Sequence, residues 1–196
     1  MAITSEQATG YLALASQSGM VRLLRHHVFG EYMKQGINLY DYPHYGPLAS
    51  ACWSTGGQDL FLATVSGRAI RFSEKEVPPQ GTLGIRLNDK DMVVGITAVN
   101  SDSGVFMLGA DGKGTIRLME GFAANKSPGA GGKIAMATDH LICALSTDDK
   151  TEVFIISHLS KIIRFRLEQI PAKEGVVQGV VCMSLRADQS VAAILT

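Results

Sequence analysis

The stretch Asp59–Phe72, DLFLATVSGRAIRF, sets two short apolar runs on either side of a turn containing Ser66 and Gly67. Runs this short, ending at serine and glycine, read as the two strands of a β-hairpin rather than as a helix. One hairpin cannot bury both of its faces, so its partners must be found elsewhere in the chain. The same phrase recurs three more times: YLALASQSGMVRLLR from Tyr11, VFMLGADGKGTIRLM from Val105 and EVFIISHLSKIIRFR from Glu152. The second run of each copy holds an arginine, and Arg22, Arg71, Arg117 and Arg164 are separated by 49, 46 and 47 residues.

A second landmark follows each arginine. Gly36 precedes Ile37, Gly84 precedes Ile85, Gly132 precedes Lys133-Ile134 and Gly179 precedes Val180, at offsets of 14, 13, 15 and 15 residues. A polar turn comes next, such as Asn88-Asp89-Lys90-Asp91, and then a closing apolar run: MVVGITAV from Met92, LICAL from Leu141, VAAIL from Val191. The stretch SPGAGGKIA, Ser127–Ala135, is therefore the third copy of a recurring inter-strand loop. As a phosphate-binding loop it fails twice, since Ser127 stands where a glycine is needed and Ile134 cannot ligate Mg²⁺.

Each unit thus reads as four short strands. The first strand is apolar at nearly every position, as expected when both faces are covered. Repeats of this length with four strands each are what a radial β-propeller uses. The expectation is an all-β, propeller-like β-pinwheel of four four-stranded blades, closed as a ring or left as an open arc. It forms a single domain over residues 1–196, with blades at approximately 10–58, 59–104, 105–151 and 152–196.

Composition narrows the function. Lys plus Arg and Asp plus Glu number 18 each, so formal net charge is zero; 46% of residues are hydrophobic and 18% charged. No apolar run approaches the roughly 20 residues that span a bilayer, and the N-terminus lacks the basic and apolar regions of a secretory signal, which points to the cytoplasm. Cys52, Cys143 and Cys182 lie far apart in apolar sequence with no CxxC pair, and read as buried structural thiols. The five histidines show no metal-ligand spacing. GADGKGTIR from Gly109 imitates a nucleotide loop but lies within a hairpin. Nothing here implies a metal, a cofactor or catalysis.

At residues 67–99, GRAIRFSEKEVPPQGTLGIRLNDKDMVVGITAV, the sequence resembles the C-terminal domain of type IIA topoisomerase A subunits, that of DNA gyrase A and of topoisomerase IV ParC. The shared pattern is a hairpin ending G-x-x-I-R-F, a short E-x-x-V-P link, then G-I-x-L-x-x-x-D-x-V-V, and looser versions extend it across residues 10–196. The resemblance implies a β-pinwheel whose blades exchange a strand with their neighbours. It also implies a non-catalytic domain that holds, bends or wraps duplex DNA on a basic outer rim, without reading sequence, in the company of a topoisomerase subunit. Gyrase carries a Q-R-R-G-G-K-G box; Pro128–Lys133 here lacks both arginines. Family domains commonly have five or six blades, against four here. Such an arc leaves exposed strand edges, which a dimer joining two arcs would cover.

Rim binding needs cations on one surface. Those falling between the repeat arginine and the landmark glycine, or just past it, are Arg25 and Lys34 (with His26 and His27) in unit one, Lys75 and Arg86 in unit two, Lys126 and Lys133 in unit three, and Arg166 and Lys173 in unit four. The competing reading makes them ordinary solubilising charges; Lys75, for one, stands between Glu74 and Glu76. The repeat arginines either face the rim or pair with carboxylates between blades. The aromatic stretch Tyr40–Pro47, with Trp53 beyond it, is unmatched in the other units and is either a packed loop or a protein-binding surface. A pinwheel that has lost its rim charge and serves as a protein-interaction scaffold is the alternative function.

Overall fold

The computed structural model describes residues 9–29 and 40–196. Lys34, and the first landmark Gly36-Ile37, lie outside them. In chain order the strands are β1 Tyr11–Ser16, β2 Met20–Arg25, β3 Leu48–Ser54; β4 Asp59–Thr64, β5 Arg68–Ser73, β6 Thr82–Leu83, β7 Val93–Val99; β8 Gly104–Gly109, β9 Lys113–Leu118, β10 Lys133–Ile134, β11 Leu141–Ser146; β12 Glu152–Ser157, β13 Ile162–Arg166, β14 Ala172–Lys173, β15 Val180–Val181 and β16 Ser190–Leu195. They form four small sheets set side by side as the blades of a propeller-like ring, as expected. The inner strands adjoin in the order β3, β7, β11, β16.

The sheets do not follow the sequence units. Their orders are β3-β1-β2-β6, β10-β5-β4-β7, β11-β8-β9-β14 with β15 also on β9, and β13-β12-β16. Thus β6 leaves the second unit to pair with β2, β10 leaves the third to pair with β5, and β14 and β15 leave the fourth to pair with β9. The second, third and fourth units each reach back and finish the blade before them. The shares are consequently four, four, five and three strands among the described residues. The fourth blade is short by one because no described strand arrives at its outer edge.

A single recurring contact makes this exchange. The carbonyl of Gly19 accepts from the amides of Gly84 and Ile85, that of Gly67 from Ala135 and Met136, and that of Gly112 from Cys182 and Met183, at 2.8–3.4 Å. These turn glycines have φ of 91°, 72° and 80°, a conformation L-residues rarely adopt. A Cβ there would lie 2.5, 2.2 and 2.3 Å from the carbonyl oxygens of Ile85, Met136 and Met183. Glycine is needed both for the turn and for the approach of the next unit's backbone.

Strand alternation then places one face of each sheet against the next blade. Ala13, Leu60 and Ile96 are in the core between the first two blades, Phe61, Met107 and Ala144 between the second and third, and Phe106, Val153 and Ile155 between the third and fourth. The cysteines pack at the margins of these cores, half-buried rather than fully buried. Burial nonetheless pushes the Cys52 and Cys143 thiols up to about 12 and Cys182 up to about 11.

The carboxylate ending Asn88–Asp91 fixes a hairpin turn. Asp91 accepts from the Ser66 hydroxyl at 2.6 Å and the Ser66 amide at 3.1 Å, and Asp188 does the same for Ser157 and Leu159 in the fourth unit. Burial raises the Asp91 carboxyl, but bonds from Ser66, Thr64 and Met92 outweigh it and hold the group below its usual range. A depressed folded value means stability that is present above the unfolded carboxylate range and lost as pH falls through the folded one.

Two outcomes follow for chemical denaturation. Gly67→Ala lowers stability by about 2–4 kcal/mol through strain and backbone overlap. Asp91→Ala lowers it by about 1–3 kcal/mol at neutral pH, and the gap to the wild type closes in acid below pH ~4, the ordinary carboxylate range.

Candidate nucleic-acid interface

The outer edge of the second blade is built from β5 and the link that arrives from the third unit. That link touches β5 twice, at a parallel bridge of Asn125 to Phe72 and through β10 at Arg68 and Ala69. Between these contacts Lys126–Gly132 arches outward. The glycines of SPGAGGKIA are explained here: Gly132, at φ 65°, lies where a Cβ would be 2.7 Å from the Ala69 carbonyl oxygen. The Gly129 amide donates to the Gly84 carbonyl at 2.8 Å.

Arg68 pins the arch, donating through Nε to the Gly131 carbonyl at 3.0 Å and through Nη2 to the Gly132 carbonyl at 2.7 Å. The Arg86 amide donates to the Ala130 carbonyl at 3.0 Å, which draws the second unit's exchanged segment alongside. Three exposed cations therefore gather on this edge, Arg86 and Lys126 and Lys133, and among the described residues none of them is paired with a carboxylate.

Positive charge also stands behind them. Arg71 is buried; its Nε bonds Asp59 at 2.8 Å and its Nη1 donates to the Met119 and Phe122 carbonyls of the next unit. Arg117 is also buried, with Nη2 on the Gly121 carbonyl and Nε and Nη1 unpartnered. Lys133 Nζ lies 4.3 Å from the centre of the Phe122 ring, and Arg117 Cζ lies 5.5 Å from it. Burial first, then the charges of Arg117 and Arg71, lower the Lys133 ammonium below its usual value. Burial alone lowers Arg117.

The remaining cations named from the sequence lie elsewhere. Arg25 and Lys75 come together, with His27, around a groove of about 540 Å³ between the first two blades. Lys173 is exposed on β14 at the edge of the third blade, its backbone paired with Arg117 just as Asn125 is bridged to Phe72 on the blade before. Arg166 ends β13 and is engaged by Glu168 at 3.4 Å. The seven described residues of the set are thus not one patch, and the cluster at the second blade is the densest group among them.

The repeat arginines also divide. Counted from the turn residue, Arg71 and Arg164 are fourth after Gly67 and Ser160, Arg22 is third after Gly19, and Arg117 is fifth after Gly112. Even spacing in sequence does not give them one register. Arg71 belongs to the inter-blade packing and not to the rim, and Arg68, which sequence reading passed over, orders the loop. The aromatic stretch is packed in part: Asp41 caps the short helix α1, Tyr42–Tyr45, whose Tyr42 ring is exposed. Tyr45 is buried with its hydroxyl on the Gln80 carbonyl, and the Tyr40 hydroxyl donates to the Gly46 carbonyl at 2.8 Å.

Four sheets, three of them finished by strands from the following unit, define a β-pinwheel. The resemblance read from residues 67–99 is borne out by comparison with known proteins. A family described as DNA gyrase C-terminal domain, beta-propeller, matches residues 58–100 and 151–196. The DNA gyrase A protein of Staphylococcus epidermidis (strain ATCC 12228 / FDA PCI 1200) is 25% identical over 199 residues, covering 96% of this chain and 22% of its own length. That of Mycolicibacterium smegmatis is 25% identical over 205 residues, covering 98% and 24%. The chain therefore spans less than a quarter of either relative. Among solved structures, the gyrase A C-terminal domain superposes with a TM-score of 0.80 at 19% identity, over 97% of this chain and 67% of that one. The C-terminal domain of DNA topoisomerase IV gives 0.81 at 18%, over 98% and 64%. The fold is that of the gyrase A and topoisomerase IV C-terminal domains.

Arg71→Ala leaves Asp59 unpaired and takes a donor from the Met119 and Phe122 carbonyls, of which Met119 keeps the Phe122 amide, and costs about 2–4 kcal/mol in urea denaturation. Lys126→Ala, on the exposed arch, stays within about 0.5 kcal/mol of the wild type in the same assay.

Proposed function

We propose that the chain is a non-catalytic, DNA-binding domain that holds duplex DNA against its outer edge and bends it, without reading base sequence. The observation that carries this reading is the cluster of Arg86, Lys126 and Lys133, exposed and free of carboxylate partners on the second blade. Lys173, one blade further round, extends the same edge. Phosphate neutralisation needs positive charge on one surface rather than a net positive chain, so zero net charge is compatible with it. The fold likeness to gyrase A and topoisomerase IV C-terminal domains supports the same reading. On this account the domain works in the cytoplasm beside, or within, a topoisomerase A-type subunit that supplies the chemistry. The alternative of a protein-interaction scaffold draws on the zero net charge and on Tyr42, which is exposed, while Tyr45 is buried and Tyr40 is bonded within its own loop.

The test is fluorescence anisotropy with a labelled duplex long enough to wrap, titrated at several salt concentrations. Affinity falls linearly in log–log form with salt, and equally for unrelated sequences. Replacing Arg86, Lys126 and Lys133 together by alanine flattens the slope by roughly 2–3, close to 0.9 for each phosphate no longer neutralised. Absence of binding at low salt ends the DNA reading.

A further inference from the structure

Among the described residues, the fourth blade presents a face that the other three bury. Six residues before the turn residue stand Ala13, Phe61, Phe106 and Phe154; two after it stand Val21, Ala69, Gly114 and Ile162. In the first three blades these positions face the next blade, and Phe61 and Phe106 have no exposed surface. Phe154 is only half-buried, while Ile162 is 67% exposed and Ile194 52%. Register sets them in two rows across the sheet, Arg164-Phe154-Ile194 and Ile162-Ile156-Ala192. A contiguous apolar patch of this kind on a folded surface marks an interaction site.

The polar part of the face is also half of a pair. Arg71, at the position of Arg164, is held by Asp59 and sends Nη1 to two carbonyls of the next blade. Arg164 is held through Nε and Nη2 by Glu152, at 2.9 and 2.6 Å, which leaves Nη1 for a partner. The occupant cannot be a blade docked as the other three are. Ser160 stands where Gly19, Gly67 and Gly112 stand, at φ 61°, and carries the Cβ that would lie within 2.2–2.5 Å of an incoming carbonyl. Among the described residues no amide donates to its carbonyl. Lys161, Arg164 and Arg166 further charge the edge of β13 against strand addition.

We propose that this face is the interface of a two-fold homodimer, the fourth blade of one copy packed face to face on that of a second copy. A two-fold contact is self-complementary. The patch can meet itself, and the adjacent Glu152 and Arg164 of each copy offer both signs of charge to the other. A three-stranded face is smaller than the ~800 Å² per partner of standard interfaces, so dissociation falls on the order of micromolar.

Sedimentation equilibrium of the full chain, nuclease-treated, tests this across a range of concentrations. A monomer–dimer equilibrium is expected, and Ile162→Asp or Ile194→Asp weakens it at least tenfold. Both side chains are exposed, so far-UV circular dichroism and the melting temperature stay unchanged, which separates loss of the interface from misfolding. Ser160→Gly leaves the dimer as it was. A wild-type monomer at every concentration overturns the proposal. So does a dimer indifferent to both aspartates, and so does marked tightening by Ser160→Gly, which would mean that the partner adds a strand to the edge.

Discussion

The architecture depends on the carbonyl of one glycine in each of the first three hairpin turns, which accepts two consecutive amides from the unit that follows. Gly19, Gly67 and Gly112 each provide this contact, and each could do so only without a side chain. It fixes the exchanged segment against the preceding blade, and that segment lays down the edge strand and closes the apolar core between two sheets. Neither a blade nor its neighbour is complete alone, as in other repeat proteins where neighbouring units share a core. Loss of one turn glycine is therefore felt in two blades.

The same exchange positions the charges. The arch from Lys126 to Gly132 exists because the third unit must reach β5, make one bridge at Phe72 and return at Arg68 and Ala69. A loop bound at both ends to another blade's edge is held at the perimeter, and its lysines are held there with it. Arg68 stiffens it through two carbonyls, while the buried charges of Arg71 and Arg117 add positive potential from behind. A glycine-rich, lysine-ended loop that imitates a nucleotide site is in this chain a structural strap with cations along it.

Much of the fold was legible in the sequence because its physics repeats. Four hairpin phrases at nearly constant spacing, each followed by a landmark glycine, could only be stacked units, and the turn residues named the strand boundaries. Even the reason for the glycines was partly visible, as turn residues rather than phosphate ligands. The register of the arginines was not. A one-residue difference in the run after the turn moves a side chain to the opposite face of the sheet, so Arg71 and Arg117 approach one inter-blade core from opposite sides although their spacing looks regular. The candidate rim was legible as a set of cations but not as a geometry, since the contact of Arg86 with Ala130 joins residues of different units. Ser160 was present in the repeat alignment, but its meaning required knowing what its glycine counterparts touch.

Residue-resolved amide hydrogen exchange, with and without duplex DNA, tests most directly that strand exchange both holds the blades and presents the cations. In the free protein the amides of Ala135, Met136, Cys182 and Met183 are expected to be protected as strongly as those of β4 and β8. Added duplex should extend protection over residues 82–87 and 124–134. Exchange of those four amides at the rate of open loops, or DNA-induced protection confined to other parts of the chain, would contradict the account.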